Sequence, residues 1–183
     1  MSDINSKCLE VFPGWLASIG SDVQTLQSAL QSGLDLPAKK AVAGGINYLF
    51  KSLDLVPDGI DDIGYLDDAF VLRMAAADAC AAGIDPLNDD LKGKLHRLRE
   101  DTGLIRELLG EELFARFAKY TKALADGSAR GRTVDEIIED ATVGREFASE
   151  VADFIREYRT PGFSSDEKNI IKLKAFMEAK LPR

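Results

Sequence analysis

Six aspartates (Asp54, Asp58, Asp61, Asp62, Asp67 and Asp68) fall between positions 54 and 68, and no Lys or Arg separates Lys51 from Arg73. Carboxylates crowded in this way repel one another and raise one another's pKa values. A hard divalent cation would relieve the repulsion, because Mg²⁺ and Ca²⁺ take oxygen ligands. Asp54, Asp58, Asp62 and Asp67 are the candidate ligands for such an ion. Their spacing is not that of a calcium-binding loop, whose carboxylates alternate and end in a bidentate Glu. The same residues also have a structural reading. Pro57-Asp58-Gly59 is turn chemistry, and Asp54 and Asp58 can accept backbone N–H bonds at a helix end and a turn. Asp67 or Asp68 in the first turn of a following helix is favoured by its dipole, typically by about 0.3–1 kcal/mol. The residue types leave both readings open.

Other catalytic chemistry has little support. His96 is the sole histidine, on a charged helical stretch with no nucleophile signature beside it. Cys8 and Cys80 are far apart and in no metal spacing, so zinc is not expected. Cys80, in Ala77-Asp-Ala-Cys-Ala-Ala82, reads as a small hydrophobe in a helix interior. There is no Walker loop and no strand–Gly-rich–helix unit, so no nucleotide cofactor is expected.

The chain has 183 residues, 45% hydrophobic and 30% charged, with a formal net charge of −8. That length suits one domain, or one domain with a small appendage. A −8 surface repels phosphate backbones, so no nucleic-acid partner is expected. The basic residues near the C-terminus (Lys168, Lys172, Lys174, Lys180 and Arg183) read as one solvated helix face. A basic protein partner fits the charge better. No apolar run reaches the roughly 20 residues of a membrane span, no signal peptide opens the chain, and two cysteines imply no disulfide framework. A cytoplasmic address is the expectation.

The apolar spacing predicts the elements that must position the aspartates. Trp15, Ile19, Val23, Leu26 and Leu30 mark a first helix, starting at Pro13-Gly14. A second begins at Asp35-Pro37, carries Val42, Ile46, Leu49, Phe50 and Leu53, and stops near Leu55 because Pro57 follows. Gly44-Gly45 weaken it by about 1 kcal/mol each, a cost that close approach of another backbone would justify. The third, from Tyr65 to Ala82, is apolar nearly all round and should be the core helix. Helices follow over Leu87–Leu109 and Glu111–Ala125, then a linker over Ala125–Arg132. The capping box Thr133/Glu136 opens a helix to Tyr158, and a second box, Ser164/Glu167, opens the last. No segment alternates long enough to be a strand. The expectation is an all-α bundle of about seven helices around a central apolar hairpin. Residues 1–127 would form the core, with the hairpin at 38–82, and residues 133–183 would form a helix pair packed on it.

The run Tyr48-Leu-Phe-Lys-Ser-Leu-Asp-Leu-Val-Pro-Asp58, followed by Ile60 and Gly64-Tyr-Leu-Asp-Asp68, resembles the YkvA-like bacterial domain of unknown function. The resemblance covers residues 38–82 and implies a helical hairpin whose turn is built by Asp54, Pro57, Asp58, Gly64, Tyr65, Asp67 and Asp68. It carries no activity. Ser52 stands where that pattern has Pro, Gly59 replaces a larger apolar residue, and Asp61-Asp62 replace an apolar pair, so the turn is more acidic and less suited to a membrane. The functional expectation is a non-catalytic protein that binds another protein, for example an acidic inhibitor or immunity-type partner of a basic one. The alternatives are a divalent-metal hydrolase using the aspartates and a structural subunit that forms homo-oligomers through the helices after Thr133.

Overall fold

A computed structural model describes residues 3–183. Helix α1 spans Asp3–Leu30 and runs straight through Pro13, not from it as the sequence suggests. A proline inside a helix costs about 3 kcal/mol. The turns before it bury Cys8, Leu9 and Phe12, and each large apolar side chain so buried contributes about 1.5–3 kcal/mol. Core burial outweighs the proline.

Helix α2, Leu36–Tyr48, carries Asp35 at its N-cap position, but the Asp35 side chain makes no capping bond. It ends at Tyr48, well short of Leu55. The last turn tightens through bonds from Leu49, Phe50 and Lys51 to the carbonyls three residues before them. Phe50 then packs edge-on against Phe147, and Leu53, which looked like part of the apolar face, is 80% exposed. Helix α3, Leu66–Ala82, is buried over most of its length. Gly44 and Gly45 are the contact residues of α2. A Cβ on Gly45 would stand 2.3 Å from Ala75 Cβ, and one on Gly44 would stand 2.5 Å from the Leu124 carbonyl oxygen. The glycines therefore bring two neighbours close to α2, as expected.

Helix α4, Asp89–Leu109, is unbroken at Gly103 and is capped by Asn88, which accepts from the Leu91 N–H. Helix α5 follows at Glu111–Ala123 and a 3₁₀ turn at Leu124–Asp126. The expected linker is folded instead. Strands β1, Ser128–Ala129, and β2, Arg132–Thr133, pair antiparallel across Arg130 and Gly131, both with positive φ, the geometry of a primed hairpin turn. Two-residue strands are too short to show alternation, so the pattern search missed them. The Thr133/Glu136 capping box forms and opens α6, Val134–Glu139. The helix breaks at Asp140, whose carboxylate caps the N–H groups of Thr142 and Val143 and starts α7, Ala141–Glu157. Helix α8, Glu167–Lys180, is capped by Asp166, not by Ser164, whose hydroxyl is engaged elsewhere.

The fold is an all-α bundle of eight α-helices among the described residues, with α3 at its centre. One cluster of buried apolar residues extends from Cys8 to Leu181 and includes Phe147 and Val151 of α7 and Ile170, Leu173 and Met177 of α8. Among the described residues no helix is long and apolar enough to cross a membrane.

Candidate functional site

The chain between α2 and α3 is irregular, and two side chains hold it. Tyr48, at the end of α2, receives the Leu55 N–H on its hydroxyl oxygen at 2.8 Å and donates its own proton to Asp67 Oδ2 at 2.5 Å. The same Asp67 oxygen accepts the Val56 N–H at 3.0 Å. Backbone bonds from Ile60 to Pro57 and from Gly64 to Ile60 complete the turn. Gly64 is required there, because a Cβ would stand 2.3 Å from the Asp58 carbonyl oxygen. Of the turn residues named from the sequence, Pro57, Gly64 and Asp67 make these contacts. Asp54 and Asp58 make no side-chain cap among the described residues, contrary to expectation, and Tyr65 at the α3 N-cap position makes no capping bond. The role falls to Asp67, reinforced by Tyr48.

The electrostatics of this turn are one-sided. Asp67 and Asp68 are buried, and Asp67 Oδ1, Asp68 Oδ2 and Asp54 Oδ1 are buried without a hydrogen-bond partner. Among the described residues no Lys, Arg or His forms an ion pair with Asp54, Asp58, Asp67 or Asp68. Burial, with the charge of Asp58 beside it, pushes Asp54 up to about 6. Burial also raises Asp67 despite its Tyr48 and Val56 bonds, and raises Asp68 well above the usual carboxylate range, with Asp67, Asp58 and Asp54 adding repulsion. Asp58 is raised by burial alone. Tyr120, whose ring meets that of Tyr48 edge-on, is held at about 12 by burial and by the charges of Asp67 and Asp54.

Asp62 does not join this group. Its backbone is left-handed (φ 69°), which swings the carboxylate toward α8. There Oδ2 accepts from the Ser164 hydroxyl at 2.6 Å and from Asn169 Nδ2 at 3.1 Å, and Ser164 lowers its pKa. The four residues proposed as cation ligands therefore do not converge as a set. No group of three or more His, Cys, Asp or Glu side chains among the described residues is disposed to hold a metal ion.

The outer side of the turn faces α7. A groove of about 390 Å³ is lined there by Leu49, Phe50, Asp58, Tyr65, Arg130, Glu150, Asp153, Phe154 and Glu157. A second, of about 440 Å³, shares Asp58 and Tyr65 and continues along Gly59, Ile60, Asp61 and Asp62 to Pro161 and Gly162. The first has four carboxylates to one guanidinium. Arg130 and Arg132 of the hairpin both bond Glu150 and lie over the Phe50 ring, so hairpin and turn form one surface. Tyr65 packs edge-on against Tyr158, and the Tyr158 hydroxyl donates to the Leu16 carbonyl. These aromatic contacts fix α7 over the turn.

Sequence reasoning singled out neither the α7 acids nor two further groupings. Glu150, Asp153 and Glu157 recur at helical spacing, and that signal was readable. Cys80 Sγ lies 3.9 Å from His96 Nδ1 across α3 and α4, but burial raises the thiol pKa, which disfavours a thiolate nucleophile. Arg73, only 2% exposed, stacks over the Trp15 ring at 4.1 Å and pairs with Asp101 at 2.8 Å and Asp22 at 3.4 Å. Trp15, Phe12 and Ile19 are core residues, and the C-terminal Lys and Arg side chains are solvent-exposed.

No curated protein and no solved structure matches the chain. Residues 38–73, running from α2 through the acidic turn to Arg73 on α3, match the family described as a protein of unknown function (DUF1232), so the domain resemblance falls on the helical hairpin at the centre of the fold.

Proposed function

We propose that the protein acts by binding another protein, and that a basic segment of that partner seats in the groove between the acidic turn and α7. The observation that carries this is the groove lining: Asp58, Glu150, Asp153 and Glu157 line it together with Tyr65 and Phe154, against Arg130 as the one cation of the lining. Arg132 and Arg156 pair with Glu150, Asp153 and Glu157 from outside it and leave Asp58 unpaired among the described residues. Carboxylates around an aromatic wall suit an arginine or lysine side chain, which gains ion pairing from the first and a cation–π contact from the second. The chain's −8 charge would steer a basic partner in. An inhibitor or immunity-type role toward a basic protein is one form this binding would take.

The test is titration with an arginine-rich peptide, followed by calorimetry, against two double variants of equal charge change. Asp153→Lys/Glu157→Lys reverses the groove, while Glu10→Lys/Asp85→Lys reverses exposed acids of α1 and of the loop before α4. The groove variant should bind at least about tenfold more weakly than the control variant, the loss expected for about 1.4 kcal/mol of local contact. Equal losses in both would reduce the groove to bulk charge and remove the proposal.

A second reading keeps the divalent cation, held by one or two carboxylates with waters because no three acids among the described residues are disposed to hold it. The buried, unpartnered oxygens of Asp54, Asp67 and Asp68 favour it. Mg²⁺ or Ca²⁺ at about 100 times its dissociation constant would add about 2.7 kcal/mol of stability. A saturable rise in Tm that Asp54→Asn abolishes supports this reading, and a flat response in EDTA-stripped protein ends it.

A further inference from the structure

A further cavity lies away from the acidic turn. It is a groove of about 620 Å³ between α1 and α4, and Arg73 of α3 is among its lining residues. Arg73 is held rigidly. Its guanidinium stacks on Trp15, Nε donates to Asp101, and Nη1 donates to Asp22 and to the Ala69 carbonyl. Its Nη2 makes no hydrogen bond within the described residues and is not among the buried unpartnered atoms. One donor edge of a fixed, almost fully buried guanidinium is therefore left over in a solvent-reachable groove. Arg97, one helical turn along α4 from Lys94, also lines the groove and has no ion-pair partner among the described residues, where Lys94 pairs with the exposed Asp90. Charges in the lining balance: Arg73, Lys94 and Arg97 stand against Asp22, Glu100 and Asp101, and the first and last of those acids are already engaged by Arg73. On a chain of net charge −8, such a balanced region repels an anion less than the acidic turn does.

We propose that the α1–α4 groove is a binding site for a ligand carrying an anionic oxygen group, a phosphate or a carboxylate, which Arg73 Nη2 and Arg97 grip from two sides while Lys94 supplies further charge. Arginine suits this role because its planar donors match both oxyanions. Preorganisation by Trp15 and the two aspartates removes the ordering cost that a free arginine would carry. A single group held in an open groove suits a dissociation constant on the order of 1 mM.

Trp15 is the only tryptophan and touches Arg73, so its fluorescence reports occupancy. Inorganic phosphate and, separately, acetate are titrated into the intact protein at constant ionic strength. A saturable change in Trp15 emission is expected with at least one of them, and the one that saturates at lower concentration identifies the source of the oxyanion. Arg97→Ala, an exposed position that leaves Arg73 in place, should weaken the response about tenfold. Arg99→Ala, an exposed cation on the same helix outside the groove, should leave it unchanged. No saturable change with either anion would overturn the proposal, and so would equal behaviour of Arg97→Ala and Arg99→Ala.

Discussion

Helix α3 buries charge twice, in opposite ways. Near its middle, Arg73 enters the core with two carboxylates and an indole ring around it. In its first turn, Asp67 and Asp68 enter the core with a tyrosine hydroxyl, backbone N–H groups and no cation. A buried ion survives if it is paired, and otherwise tends to neutralise by taking or losing a proton. The Arg73 cluster follows the first course and the aspartate pair the second. Pairing makes a rigid structural joint. Protonation leaves a pair whose charge, and so whose contribution to stability, depends on pH.

Substitutions can break or sharpen this contrast. The largest effect is expected from Arg73→Ala, which strands Asp22 and Asp101 and uncovers Trp15. Removing one partner of a buried pair costs about 3–5 kcal/mol, readable as a lower urea midpoint. Tyr48→Phe should come next, at about 2 kcal/mol, because the Leu55 N–H and Asp67 Oδ2 both lose a partner. Asp68→Asn should have the opposite sign. It removes a carboxylate that burial and three neighbouring aspartates oppose, and at pH 8 it should stabilise by about 1 kcal/mol. The smallest loss, about 1 kcal/mol, is expected from Ser164→Ala, which unties Asp62 from the segment before α8. Asp62→Gly is its companion, since glycine accepts the left-handed backbone at that position.

Much of this architecture was readable. The all-round apolarity of Leu66–Ala82 identified the central helix, and Thr133 with Glu136 marked a helix start that forms as written. The misreadings share a cause, which is that local pattern yields to tertiary contact. Leu49, Phe50 and Leu53 keep a helical period, yet the chain leaves the helix at Tyr48, where the Tyr48 hydroxyl finds Leu55 and Asp67. Ser164 and Glu167 have capping-box spacing, yet Asp166 does the capping and Ser164 bonds Asp62, 102 residues away along the chain. Asp62 looked like a fellow ligand of Asp54 and Asp58 because spacing does not disclose a backbone of φ 69° that turns it away. Arg73 with Asp22 and Asp101, and the α7 carboxylates opposite the turn, come from segments whose approach only the fold defines.

The most direct test of the unpaired aspartates is the stability of the wild type and Asp68→Asn by urea unfolding across pH 5 to 8. Unfolded aspartates titrate near about 4, while Asp54 in the folded chain sits at about 6 and Asp67 and Asp68 are likewise raised. The folded chain therefore holds protons that the unfolded chain has released. Stability is fullest below the unfolded value and is lost as pH rises through the folded ones. The wild type should weaken steadily toward pH 8, and Asp68→Asn should lose less, so that the two curves separate with rising pH. Parallel curves, or a wild type that gains stability toward pH 8, would contradict a turn whose buried carboxylates stand without counter-charge.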